Sequence, residues 1–380
     1  MATARKGSKT QSKIQVLLYG EQFTGKSTLA LQLMYLKRPD GKPFRVLYLD
    51  AENGSVDDYL GTLEDDGINL ENLYIVYTQS LNEVNEYIKK ATNKEEFYEL
   101  DEEGNEDLDS PVLDADGQPF IPDAIVVDGS TVLNLATKQG LIEFSKKRAS
   151  VKAKRDELIG DEKFVKVEGA GLELKDYNTI NFKGQDLVLT LTGSGLHYVV
   201  TARETNEKEN KIIEGKKETV DTGRKIPDGF KGMGYNTKTE MRLFVEDGVV
   251  KAHVVKDRTG TYRKDEIVED PTLLAFQDVI DKTKSNRDVV VQNRLHDAIK
   301  NELKQTEKEV LGEEIKEDVS QPKESIDDIK KELKDIVTSF SPAKKAKMKE
   351  ALTSKGLPVV LSKISDVEIA KAALEVIKQI

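Results

Sequence analysis

The sequence predicts an α/β protein: a mainly parallel sheet flanked by helices, with a β-hairpin at its end and a small helical C-terminal unit beyond. Three observations carry this prediction. Short runs nearly continuous in apolar residues recur before residue 205, as strands covered on both faces require. Helical stretches fall between several of them, which implies right-handed crossovers. A glycine-bounded loop joins the first run to the first helix.

In chain order, the expected strands are Ile14–Tyr19, Arg45–Leu49, Leu73–Tyr77, Ala124–Val127 and His197–Thr201. The expected helices are Lys26–Lys37 and Leu81–Ala91. Met241–Val245 and Val249–Val255, joined by Glu246-Asp247-Gly248, read as a hairpin with an Asp-Gly turn. Asn93–Ser110 holds nine acids against one lysine and reads as a solvated insertion. Ile326–Val337, Pro342–Ser354 and Val367–Ile380 show helical spacing, with Ser341-Pro342 as a start signal and Lys355-Gly356 as a stop. The organisation expected is a flexible tail (1–12), a core (13–265, with an acidic insertion at about 93–122), a charged, partly helical linker (266–325) and a helical unit (326–380).

Composition narrows the chemistry. The 380 residues carry 58 Lys and Arg against 69 Asp and Glu, a net charge of −11. Mean hydropathy is −0.52, and no run approaches the ~18 apolar residues of a spanning helix. A soluble, cytoplasmic protein without membrane contact is expected. With no cysteine, disulfides, thiolate catalysis and Cys-based metal sites are excluded. Three histidines leave a hard, oxygen-held cation as the metal to consider. His197 and His253 lie within apolar runs and read as core residues.

Gly20-Glu21-Gln22-Phe23-Thr24-Gly25-Lys26-Ser27-Thr28 matches G-x-x-x-x-G-K-[ST] between a strand and a helix. Gly20 and Gly25 are expected to adopt angles a Cβ would forbid, so that N–H groups turn toward phosphate oxygens. Lys26 then reaches the β- and γ-phosphates, and the Ser27 hydroxyl can coordinate Mg²⁺. Asp128, ending Ala124–Val127, is the carboxylate placed to face that cation; the same residue also fits a cap before Ser130. The second strand runs into Asp50-Ala51-Glu52-Asn53-Gly54. Glu52 is the candidate general base, and Asp50 either orients a metal-bound water or caps locally.

Together these residues resemble the RecA-like ATPase core, and more specifically phage-encoded RecA-like ATP-binding proteins, relatives of recombinases that assist single-strand annealing. The resemblance covers roughly residues 13–265. It implies ATP and Mg²⁺ as cofactors, Glu52 as catalytic carboxylate, and a γ-phosphate sensor at the end of the 197–203 strand, where Thr201, Arg203 and Glu204 stand. It implies that Lys256 and Arg258, in Lys256-Asp257-Arg258-Thr259-Gly260, resemble cationic fingers that reach a neighbouring subunit's nucleotide. A homo-oligomeric ring or filament follows, in a bacterial host cell if phage-encoded.

The same resemblance places single-stranded DNA between the Asp128 strand and the sensor strand. That interval holds Lys146, Lys147, Arg148, Lys152, Lys154 and Arg155, flanked by Phe144, Phe164 and Tyr177. The cluster fits a solvated helix face equally well. Glu204–Gly234 carries seven bases and seven acids and has no distinct cationic footprint. The leading expectation is an ATPase of DNA recombination, replication or repair. The alternatives are a nucleotide-gated module recruiting an annealing or single-strand-binding protein through its C-terminal helices, or a hexameric DNA motor.

Overall fold

The computed structural model describes residues 4–101, 103–213 and 216–311. Beyond these it describes 329–330, 332–333, 336–337, 340, 342–355, 357–358, 364 and 367–378. The chain divides into two compact units, 1–97 with 112–295, and 98–111 with 296–380.

The first unit is mixed α/β. Its strands are β1 (Gln15–Gly20), β2 (Val46–Asp50), β3 (Leu73–Tyr77), β4 (Ala124–Asp128), β5 (His197–Ile213), β6 (Lys216–Pro227), β7 (Thr239–Glu246), β8 (Val249–Asp257) and β9 (Ile267–Glu269). They form one sheet in the order β9-β8-β7-β1-β5-β4-β2-β3, with β6 paired to β5. From β7 to β3 every neighbouring pair is parallel, and β8 and β9 add an antiparallel margin.

The apolar runs become strands because both faces of the sheet are covered. Alternate residues feed two separate cores: Leu17, Leu47, Ile125 and Val200 on one side, Val16, Val46, Val126 and Val199 on the other. The β7–β8 turn places Asp247 at φ 54° and Gly248 at φ 79°, the double positive φ that a primed two-residue hairpin requires.

Two expectations change. The helix read over Lys26–Lys37 is an α-helix only across Lys26–Leu31 (α1), followed by a 3₁₀ turn at Gln32–Tyr35. There the Gln32 side-chain oxygen accepts from Leu273 N–H (2.8 Å), and Leu36 is extended. Residues 204–213 and 216–227, within the Glu204–Gly234 interval where no strand is read, form the arms of a long antiparallel hairpin, pairing Glu204 with Pro227 through Ile213 with Lys216. The basic stretch lies on a 26-residue helix, α2 (Ser130–Arg155), followed by α3 (Gly160–Glu168) and α4 (Leu174–Gly193).

The second unit joins part of the acidic insertion to the C-terminal helices. Tyr98–Leu100 and Glu106–Pro111 form a hairpin turned by Asp101, whose Oδ1 accepts from the N–H groups of Glu103 (2.9 Å) and Asn105 (2.8 Å). Leu108 packs on a core that includes Leu333, Met348, Leu352, Ala370 and Leu374. Asp109 pairs with Lys349 at 3.2 Å. Helices run over Pro342–Ser354 and Val367–Ile377, inside two of the segments read as helical. Ser341, Gly356 and half of Ile326–Val337 fall outside the described residues. Among the described residues no helix is long and apolar enough to cross a membrane.

Candidate nucleotide site

The carboxyl ends of β1, β5, β4 and β2 lie side by side, and the residues leaving them converge. Gly20 pairs in register with Arg203, and Asp50 with Asp128. Neighbouring strands lie about 4.8 Å apart, so the loop after β1, the end of β5 and the two carboxylates are adjacent. Because β5 lies between β1 and β4, it separates the glycine loop from Asp128.

The loop is held by its own backbone. The Thr24 hydroxyl, buried at 3% exposure, donates to the Glu21 carbonyl at 2.9 Å. The Lys26 ammonium donates to the same carbonyl at 2.5 Å. Gly25 takes φ 78° and its carbonyl accepts from Leu29 N–H at 2.8 Å, opening α1. Gly20 differs from the expectation. Its φ is not positive; a Cβ there would stand 2.2 Å from the Leu243 carbonyl of β7, so close approach of a strand demands the glycine. Phe23, at φ 59°, is 97% exposed. Burial lowers the Lys26 pKa, and the carboxylates of Glu52 and Asp128 pull it back up.

Asp128 is 1% exposed. Its Oδ2 accepts from the Tyr48 hydroxyl (2.6 Å) and the Ser55 hydroxyl (2.7 Å), and its Oδ1 from Thr201. Thr201 in turn accepts from Gly129 N–H at 2.8 Å. Sequence reasoning missed Tyr48 and Ser55. The one available signal was a tyrosine inside an apolar strand, whose hydroxyl needs a buried partner. Among the described residues no Lys or Arg comes within ion-pairing distance of Asp128. A buried carboxylate served by hydroxyls alone retains acceptor capacity and an unmatched charge, which suits a cation.

Asp50 is a local cap. It is fully buried and accepts from the N–H groups of Glu52 (2.8 Å), Gly54 (2.7 Å) and Ser55 (3.0 Å). That arch carries Glu52 over Gly129, where φ is 92° and a Cβ would stand 2.7 Å from Glu52 Cγ. The Glu52 carboxylate is engaged by Arg203: Nε and Nη2 donate to its Oε1 at 3.2 and 3.1 Å. The neighbouring Glu204 is clamped by Arg242 (2.7 Å) and Lys225 (3.5 Å).

The remaining residues lie elsewhere. Lys256 sits opposite Glu240 in β7 and its ammonium donates to the Gly234 carbonyl. Burial and Arg258 lower its pKa, and Glu240 raises it. Arg258 N–H bonds the Lys238 carbonyl (3.0 Å), and Lys238 N–H bonds Gln15 (2.9 Å). Arg258 is therefore level with the start of β1, roughly 16 Å along the strand from Gly20. In α2, Lys146 pairs with Glu168 (2.8 Å) and Arg148 with Asp176 (2.6 Å), while Lys147, Lys152, Lys154 and Arg155 are exposed. Phe144, Phe164 and Tyr177 are at least half exposed. His197 is buried, as expected. His253 is not: its side chain is 34% exposed and lies 3.4 Å from Asp265.

No protein-family profile matches the chain, and no curated protein matches it in sequence. Among solved structures it is similar to the RadB recombinase, at 15% identity over 69% of this chain and 88% of that one, with a TM-score of 0.36. It is also similar to a KaiC-like protein from the hyperthermophilic archaeon Pyrococcus horikoshii OT3, at 13% identity over 69% and 99% of the two chains, with a TM-score of 0.32.

Proposed function

We propose that the chain is a Mg²⁺-dependent, RecA-like ATPase acting on single-stranded DNA in recombination, replication or repair. The observation that carries this reading is the convergence of the Gly20–Thr28 loop, Asp128 and Glu52 at adjacent strand ends. Loop N–H groups and Lys26 receive the phosphates. Ser27 and Asp128 would hold Mg²⁺, which supplies neutralisation of charge on the phosphate oxygens. Among the described residues no three His, Asp or Glu side chains converge to cage a cation, as suits an ion that keeps water and phosphate ligands.

Glu52 accepts the proton of the attacking water as its oxygen bonds the γ-phosphorus and the β–γ bridging oxygen leaves with ADP. Arg203, one strand from Gly20, can exchange Glu52 for the γ-phosphate oxygens, freeing the base when a triphosphate is present. Phosphates of a nucleic acid strand meet the exposed Lys147, Lys152, Lys154 and Arg155, with Phe144, Phe164 and Tyr177 available for stacking.

The test is retention of labelled ATP in magnesium buffer, then turnover with and without single-stranded DNA. Lys26→Ala should lose retention, and Glu52→Gln should retain nucleotide while losing turnover by about 10²-fold or more. One observation favours a second reading, a nucleotide-gated module in which turnover is incidental: the base is held by Arg203. Biological function surviving Glu52→Gln but not Lys26→Ala would select it.

A further inference from the structure

A second polar cavity lies at the other end of the sheet, where β1, β2, β4 and β5 begin. It encloses about 540 Å³, within the range of small-molecule sites. Its roof is the segment 284–293, pinned across the strand starts. Gln11 N–H bonds the Arg287 carbonyl (3.0 Å), Ser12 N–H bonds Thr283 Oγ1 (3.0 Å) and Asn293 Nδ2 bonds Asp186 (2.8 Å). Glycines let the roof sit down: a Cβ at Gly195 (φ 74°) would stand 2.4 Å from Val290, and one at Gly193 2.4 Å from Asn293 N.

The lining reverses the charge of the chain. Five cations, Lys13, Arg38, Arg45, Lys94 and Lys284, face two carboxylates, Asp123 and Asp288. Arg45 is satisfied by Asp123 (2.9 Å) and Asp114 (3.2 Å), and Lys13 by Asp288 (3.3 Å). Lys94 and Lys284 have no carboxylate within ion-pairing distance among the described residues. Arg38 Nε is buried without a hydrogen bond; Asp40 stands 3.4 Å from it out of alignment, and Asp123 lies 3.7 Å from Nη1 of the same guanidinium.

His197 completes the donor set. Its Nδ1 accepts from Ile14 N–H at 3.1 Å, so the proton of the neutral ring belongs on Nε2. Burial, reinforced by Lys13 and Lys238, keeps that ring neutral by lowering its pKa to about 3. Phe44, Ile121, Pro122 and Ile280 supply an apolar wall beside these donors.

We propose that this cavity is a second anion site, taking a small phosphate-bearing molecule independently of the Gly20–Thr28 loop. Surplus cations, an unmatched guanidinium N–H and an imidazole N–H match the oxygens of a phosphate, and the apolar wall accommodates an organic group attached to it. The full chain carrying Lys26→Ala, which removes the ammonium of the first site, isolates the second.

Equilibrium dialysis of that protein against inorganic phosphate and, separately, adenosine monophosphate is the experiment. Saturable binding of either is expected, weakening with salt and falling at least tenfold on adding Lys94→Glu and Lys284→Glu, both exposed positions. Tighter binding of adenosine monophosphate identifies an organic phosphate, and equal binding identifies the bare anion. Failure of the Lys26→Ala protein to bind either, or binding unchanged by the charge reversals in a chain with native circular dichroism, overturns the proposal.

Discussion

Arg203→Gln separates two roles whose effects on rate have opposite sign. In the structure both guanidinium contacts fall on one Glu52 oxygen, at 3.2 and 3.1 Å, and the Arg203 side chain is 47% exposed. After discounting for solvent, such a pair contributes about 0.5–1 kcal/mol. Releasing Glu52 from it could raise hydrolysis by only about two- to fivefold. A cation that meets the γ-phosphate in the transition state contributes ~10³-fold or more. Single-turnover hydrolysis at saturating ATP reads the net effect, and phosphate contact, being worth far more, decides its sign. We expect the Arg203→Gln chain to slow at least 10²-fold while retaining ATP. A rate within about fivefold of the parent, in either direction, would refute phosphate contact and leave Arg203 as a surface partner of Glu52.

Four further outcomes follow from named contacts. Gly20→Ala should destabilise the chain by about 1–3 kcal/mol, because its Cβ meets the backbone oxygen of Leu243 rather than a movable side chain; urea unfolding measures it. Tyr48→Phe removes a 2.6 Å bond to Asp128 and should cost about 1.5–3 kcal/mol, read the same way, with Mg²⁺ dependence of ATP retention as the companion readout. The His197 pKa of about 3 in the fold, against 6.5 unfolded, means the unfolded state binds the extra proton between those values. Its contribution is whole above pH 6.5 and falls with acid, by about 2 kcal/mol between pH 7 and 5; His197→Gln should flatten that part of the pH profile, and an unaltered slope would contradict the assignment. Replacing the four exposed cations of α2 with glutamine should reduce the salt slope of single-strand binding by about 0.7 per cation, whereas the same change at Lys146 and Arg148 should instead lower stability.

The parts legible in the sequence are those whose signal is local. Strands β1, β2, β3 and β4 were readable because each is apolar on successive residues, which only a doubly covered strand explains. The Asp247-Gly248 turn was readable because its dihedrals exclude most residue pairs. The outer part of the β5–β6 hairpin was not, since beyond Glu204 its strands are charged on both faces and show no alternation. Hairpin and ion-pair partners far apart in sequence leave no local mark either. Arg203 and Glu52 are separated by 151 positions, and Asp128 collects hydroxyls from Tyr48, Ser55 and Thr201, which share no spacing rule. At Gly20 the loop motif suggests a special φ, whereas the structure requires room for the Leu243 carbonyl.

The sheet itself constrains how Lys256 and Arg258 could take part in hydrolysis. Lys256 lies in β8 near the end opposite the glycine loop and Arg258 just beyond that end, because β8 runs antiparallel to β7 while β7 runs parallel to β1. The Arg258 side chain cannot span the roughly 16 Å back to Gly20, and Lys256, level with Leu17, is tied to the Gly234 carbonyl, so a catalytic role for Arg258 requires a second copy presenting its phosphate loop. Such an interface is heterologous, joining unlike surfaces of identical chains. Lys26→Ala and Arg258→Ala proteins should then each be inactive alone yet complement when mixed, since the intact loop of one meets the intact arginine of the other. With equal, random incorporation roughly one quarter of the interfaces are whole, which sets the activity expected. Mixtures no more active than the separate proteins would leave Arg258 a turn residue.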